Sequence, residues 1–293
     1  MVSGPKKPTT PSKTRRKLAF AALCVTLGAL AAGLIWTRTD GAITDDFVAA
    51  VPAESALDAV ASYLGVAPEN WTLGARPADA NTPDPERFRE EIAPFLAEPA
   101  AANASDSVVF VGSSSIRLWS TLAADFSERA VLNRGFGGST FFDLLHFHGD
   151  LVAKHRPSAV VVYEGDNDVG YGIALEAILH DFLRCLQLLR QQGSSTRDAG
   201  VIYVSPKPSP DRIQHADTFA WLRKAMRAVC ASDERTRFLD VWPLMTDDAG
   251  NVRDDMYAAD GGVLQEYDGI HMNALGYSAW TAELRALLDE LLT

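Results

Sequence analysis

In the last two thirds of the chain, short apolar runs alternate with longer stretches whose apolar positions recur every three or four residues. Val108-Val109-Phe110-Val111, Ala130–Leu132, Ala159–Tyr163, Gly200–Val204 and Arg237–Leu239 are the candidate strands. The third is apolar throughout up to Glu164, as a strand buried on both faces is. Between the runs, Leu175, Ile178, Phe182, Leu186 and Leu189 mark one amphipathic helix, and Trp280, Leu284, Leu287 and Leu291 mark the last. Strand and helix in turn predict the α/β class: a doubly wound, flavodoxin-like sheet of about five parallel strands with helices on both faces. Such sheets bind ligands outside the carboxyl ends of their strands, and the polar clusters of this chain follow those same ends.

The pattern upstream is different. Leu18 to Trp36 is a 19-residue run without a charge, roughly 28 Å long as a helix and close to the hydrocarbon thickness of a bilayer. Lys6, Lys7, Lys13, Arg15, Arg16 and Lys17 precede it. This predicts a basic cytoplasmic tail at 1–17, a transmembrane anchor at 18–36, and everything beyond Trp36 outside the cytoplasmic membrane. Ala29-Leu30-Ala31 resembles a signal-peptide cleavage site, and cutting there would give a secreted product instead. The apolar run continues past it through Leu34, Ile35 and Trp36, which favours the retained anchor. Residues 37–105 read as a linker and helical lead-in. Ser55–Leu64 has helical spacing, Pro77–Pro85 has the composition of a linker, and Glu86–Leu96 reads as a helix that packs on the domain behind it. The domain proper is 106–293.

Charge and cysteine content narrow the partners. The net charge of −11 includes six basic and no acidic residues in 1–17, leaving about −17 on the rest; a body that acidic is repelled by phosphate backbones, which argues against nucleic acid. Cys24, Cys185 and Cys230 are too few for a disulfide framework and read as buried, inert thiols, with a Cys185–Cys230 bridge left open.

Four polar clusters follow the strands. Gly112-Ser113-Ser114-Ser115-Ile116-Arg117 offers a serine at a turn, where a base can reach its hydroxyl, or simply a helix cap. Asn133-Arg134-Gly135-Phe136-Gly137-Gly138-Ser139-Thr140 offers backbone N–H groups that an oxyanion can approach. Thr140 stands where a dinucleotide fingerprint needs its third glycine. Glu164-Gly165-Asp166-Asn167-Asp168 offers a side-chain amide, and its carboxylates lack the neighbouring histidine or second acidic cluster that a metal site wants. Tyr267-Asp268-Gly269-Ile270-His271-Met272-Asn273 places Asp and His three apart, where a carboxylate can orient an imidazole.

Serine, glycine, asparagine and then Asp-x-x-His, in that order, resemble the four blocks of the SGNH hydrolases, the GDSL-like lipases and esterases. The resemblance covers residues 106–293. Phe110–Trp119, Val131–Thr140, Tyr163–Asp168 and Asp268–Trp280 look especially like a bacterial GDSL-like esterase subgroup, which also tends to have the Lys207-Pro208-Ser209-Pro210 loop after its fourth strand. One departure stands out: the usual Gly-Asp-Ser reads Gly112-Ser113-Ser114. The family register puts the nucleophile at Ser114, with Ser115 the alternative, and the lost aspartate is not a triad member.

The resemblance implies a serine esterase with Ser114 as nucleophile, His271 as base and Asp268 as its orienting acid. It also implies an oxyanion hole of the Ser114 N–H, the Gly138 N–H and the Asn167 amide, with no metal or cofactor. His271 must be neutral to accept the serine proton, so kcat/KM is expected to fall on the acid side along a single ionisation near neutrality. The other histidines, His146, His148, His155, His180 and His215, sit in no matching motif and read as surface or structural. Phe136, Phe141, Phe142 and Tyr171 lie in or after the functional loops, where they wall a pocket or pack the core. A small ester, an acylated glycan or a lysolipid fits as substrate, and the lack of a long lid-like insertion favours short acyl groups. Two rivals remain at this level: an O-acyltransferase acting on a glycan through the same triad, and a non-catalytic carbohydrate-binding module on the same fold. Binding alone does not require the serine, asparagine, aspartate and histidine together.

Overall fold

The computed structural model describes residues 67–191 and 193–293, all within the unit Asp45–Thr293. The basic tail, the apolar run Leu18–Trp36 and the helix expected at Ser55–Leu64 lie outside the described residues. Among the described residues no helix is long and apolar enough to cross a membrane.

The five strands are β1 (Val108–Gly112), β2 (Val131–Gly135), β3 (Ala159–Tyr163), β4 (Gly200–Val204) and β5 (Thr236–Leu239), all parallel and in the order β2-β1-β3-β4-β5. This is the doubly wound order with its switch point beside β1, between β1 and β3. Every residue of β1, β3 and β4 is buried, so their side chains alternate between two separate cores. Val109, Val111, Val160, Val162, Val201 and Tyr203 point to one face. There they meet α4 (Phe141–Leu151), α6 (Leu175–Arg190) and α7 (Ala216–Cys230). Val108, Phe110, Val161, Tyr163, Ile202 and Val204 point to the other. On that face they meet α2 (Ser114–Arg117), α3 (Leu122–Asp125) and α8 (Ala274–Leu292). Each such side chain, fully removed from water, stabilises the fold by about 1.5–3 kcal/mol before chain entropy is subtracted.

The expected second strand was to end at Leu132, but β2 runs on to Gly135. Asn133 does not stop it because both ends of its carboxamide are satisfied locally: Oδ1 accepts from Gly135 N at 2.9 Å and Nδ2 donates to Ile116 O at 2.6 Å. At the edge of the sheet a polar residue with its own partners can stay in the ladder.

The upstream residues expected to be linker and lead-in lie along the domain. Asp79 accepts from the Ala174 N–H at 2.8 Å, Asn81 Nδ2 donates to Gly172 O at 2.7 Å, and Arg76 pairs with buried Asp181 at 2.8 Å. A single 3-10 turn, Pro85–Phe88, leads into α1 (Arg89–Ala97), and Trp71, Phe88 and Ile92 join the first core. Within Pro77–Pro85, Asp79 and Asn81 bond to the loop before α6. Cys185 and Cys230 are both buried and unpaired. Burial pushes the Cys185 thiol up to about 12 and that of Cys230 higher still, which leaves both unreactive.

Candidate active site

β1 delivers the serine by a sharp exit. Gly112 has φ +145° and lies so near β3 that a Cβ there would stand 2.0 Å from Tyr163 O; only glycine allows this approach. Ser113 N donates to Tyr163 O at 3.2 Å, and Ser114 then opens α2. Its N–H is in the first helical position, where no intrahelical acceptor exists.

His271 and Asp268 come from the loop before α8. Asn273 caps that helix, accepting from Leu275 N and Gly276 N, while its Nδ2 holds the Asp255 and Ala258 carbonyls. Asp268 Oδ1 accepts from the Ile270 and His271 N–H groups at 2.9 and 2.8 Å, fixing the loop, and Oδ2 accepts from His271 Nδ1. With its Nδ1 proton turned to the carboxylate, the imidazole presents a lone pair at Nε2, and Ser114 Oγ donates to it at 2.7 Å. Partial burial opposes the charge of Asp268, but the His271 N–H, the imidazole and the Ile270 N–H outweigh it and hold the carboxyl below its usual range. Ser115 does not share this geometry: it is buried on the second core, and its carbonyl accepts from Tyr277 OH at 2.9 Å.

The loop after β2 carries Gly138 at φ +79°. Among the described residues neither the Gly138 N–H nor the Ser114 N–H has a protein acceptor. Gly138 is tethered from both sides: Tyr171 OH donates to its carbonyl at 3.1 Å, and Glu91 of α1 accepts from the neighbouring Gly137 N at 2.8 Å. Asn167 lies in α5 (Asp166–Gly170) at the end of β3, and its Nδ2 donates to Ser139 O at 2.9 Å. One N–H of that amide is therefore committed to the glycine loop and the other is left over.

The carboxylates of the third cluster each have their own structural partners. Asp166 lies between Lys207 at 3.0 Å and Arg212 at 2.9 Å, and despite complete burial these cations keep it ionised. Glu164 accepts from Ser139 Oγ at 2.6 Å, and burial with the nearby charge of Asp168 pushes its pKa well up. Asp168 accepts from the Phe141 and Gly165 N–H groups, and burial raises it to about 8. Phe136 and Phe141 are core residues, and Phe142 lies beneath Arg76. Tyr171, 43% exposed, is the aromatic at the rim. His148 is buried, which lowers its pKa to about 4, and His155 accepts from Arg134 inside the fold.

Three contributors escaped the sequence reading: Glu91 on the glycine loop, Tyr277 behind Ser115 and Arg212 on the third cluster. Arg212 had a sequence signal in its place just after Lys207-Pro208-Ser209-Pro210, and Tyr277 one in falling within the stretch Asp268–Trp280.

A hydroxyl, an imidazole and a carboxylate in series at the carboxyl edge of a parallel sheet form the arrangement of serine hydrolases. The chain belongs to the GDSL-like lipase/acylhydrolase family, whose family model matches residues 101–279; the family consists of hydrolases of ester bonds. It is similar to the platelet-activating factor acetylhydrolase IB subunit alpha1 of Bos taurus, with 29% identity over 64% of this chain and 76% of that one. The Homo sapiens protein of the same name is 28% identical over 63% of this chain and 76% of its own length. The structure of a GDSL-like lipase from Bacteroides thetaiotaomicron shares the fold, with a TM-score of 0.57, 18% identity, and coverage of 71% of this chain and 99% of that one.

Proposed function

We propose that this protein is a serine esterase that hydrolyses short-chain acyl or acetyl esters outside the cytoplasmic membrane. The observation that carries the reading is the 2.7 Å bond from Ser114 Oγ to His271 Nε2, with Asp268 on the far side of the ring. Ser114 Oγ attacks the acyl carbonyl as its proton passes to His271 Nε2, and Asp268 stabilises the imidazolium. The carbonyl oxygen becomes an oxyanion held by the Ser114 N–H, the Gly138 N–H and the second Asn167 amide hydrogen, each worth about 3–4 kcal/mol in the transition state. Collapse breaks the ester C–O bond, and the departing alcohol takes the proton from His271. Water then attacks the acyl-Ser114 by the same route in reverse, freeing the acid and the serine.

The acetylhydrolase name of the mammalian relatives supports a short acyl group. Ser114→Ala should lower kcat on p-nitrophenyl acetate by at least about 10³-fold with an unchanged circular dichroism spectrum, while Ser115→Ala keeps most activity. The reverse result would move the nucleophile by one residue.

A further inference from the structure

Asn167 is gripped at both ends. Its Nδ2 donates to Ser139 O at 2.9 Å, and its Oδ1 accepts from Arg212 Nη2 at 3.1 Å. Arg212 is itself fixed. Its Nη1 donates to both the carbonyl and the carboxylate of Asp166, the latter at 2.9 Å. The guanidinium lies flat over Gly170, where a Cβ would stand 2.6 Å from Nη1. Asp166 is also shared by Lys207 and by Tyr163 OH, so two cations converge on one carboxylate and leave a net positive charge against the Asn167 carbonyl.

These partners assign the carboxamide. Turned over by 180°, it would face its NH₂ to a guanidinium that can only donate and its oxygen to a carbonyl that can only accept. Both contacts would be lost together. The observed orientation satisfies both contacts and leaves one N–H of Asn167 over, and the guanidinium on its oxygen polarises the amide so that this N–H is a stronger donor. Arg212 comes from the turn Pro210–His215, outside all four sequence blocks. The preceding residue, Asp211, donates its N–H to Gly269 O at 3.0 Å, within the loop of Asp268 and His271. One short segment therefore braces both the oxyanion donor and the acid–base loop.

We infer that Arg212 is a positioning residue for the oxyanion hole, orienting and polarising the Asn167 amide through Oδ1 while Asp166 anchors its guanidinium. The inference rests on the proposed oxyanion role of Asn167. Its action is felt only where charge develops, so it should alter kcat and spare KM.

A double-mutant cycle on p-nitrophenyl acetate tests it. Arg212→Gln should lower kcat about tenfold, with KM within about twofold of the parent. Asn167→Ala should lower kcat by about 10²-fold. In the Asn167→Ala background, Arg212→Gln should cost less than about twofold more, because the group it acts through is gone. A full tenfold loss in that background would overturn the inference and leave Asn167 in place, since Arg212 would then act on something else. A raised KM at parental kcat would also overturn it, marking a substrate contact. Asn167→Ala with parental kcat would remove the oxyanion reading itself. Arg212→Lys keeps the charge over Asp166 but loses the fork to Asn167, and it runs the same cycle with the same criteria if the glutamine variant does not fold.

Discussion

At the scale of single residues, the unusual investment is in buried acid beneath the site. Glu164 has no exposure, one oxygen on Ser139 and the other, Oε2, without a hydrogen-bond partner. Burial is the main force raising its pKa, so the folded protein retains a proton that the unfolded chain releases above about pH 4.3. Over that window the unfolded state binds fewer protons than the folded one, and stability falls as pH rises, until the folded pKa is passed. Glu164→Gln keeps the shape without the titration. The variant should match the parent in Tm near pH 4 and exceed it progressively towards pH 8, with esterase activity retained. A Tm difference that stays constant across that range would mean that Glu164 is ionised in the fold. Asp268 has the opposite sign: its N–H donors hold its pKa down, so it stays charged as pH falls.

At the scale of elements, α1 packs on the domain as its sequence predicts. The family match begins at residue 101, yet Ile92 is fully buried and Phe88 packs edge-on against Phe136 with ring centroids 5.0 Å apart. Phe136 immediately precedes Gly137 and Gly138, and Glu91 bonds the Gly137 N–H. The lead-in thus supports the loop proposed to carry one oxyanion donor. Ile92→Ala should reduce the free energy of unfolding by about 2–5 kcal/mol, measured by urea denaturation at pH 7. A loss below about 0.5 kcal/mol, the range of surface substitutions, would show that α1 is an appendage.

At the scale of the whole molecule, the charge distribution sets the outlook. Six basic residues precede an uncharged run, and the remainder is acidic. The full chain is expected to pellet with membranes and its domain to be digested by protease added from outside the cell. A soluble product beginning near Ala32 would instead establish signal cleavage. An acidic body also suits neutral or cationic esters better than polyanionic substrates, and comparison of kcat/KM for neutral and phosphorylated esters of equal acyl length would check this.

Sequence by itself determined the strands, their parallel class and the order of the four blocks. Those features are local: a buried strand writes itself as an apolar run, and a glycine-serine turn or an Asp-x-x-His loop is contained in a few residues. Tertiary structure alone decided which distant groups meet. Ser114 and His271 are 157 residues apart yet share a bond, because β1 ends and α8 begins at the same edge of one sheet. Arg212 reaches Asn167 from 45 residues away, and no periodicity marks a guanidinium that will face a carboxamide. Composition marks Pro77–Pro85 as a linker, and only the fold shows Asp79 and Asn81 bonded to the loop before α6. Composition records what a residue can bond; only the fold determines which partner it finds.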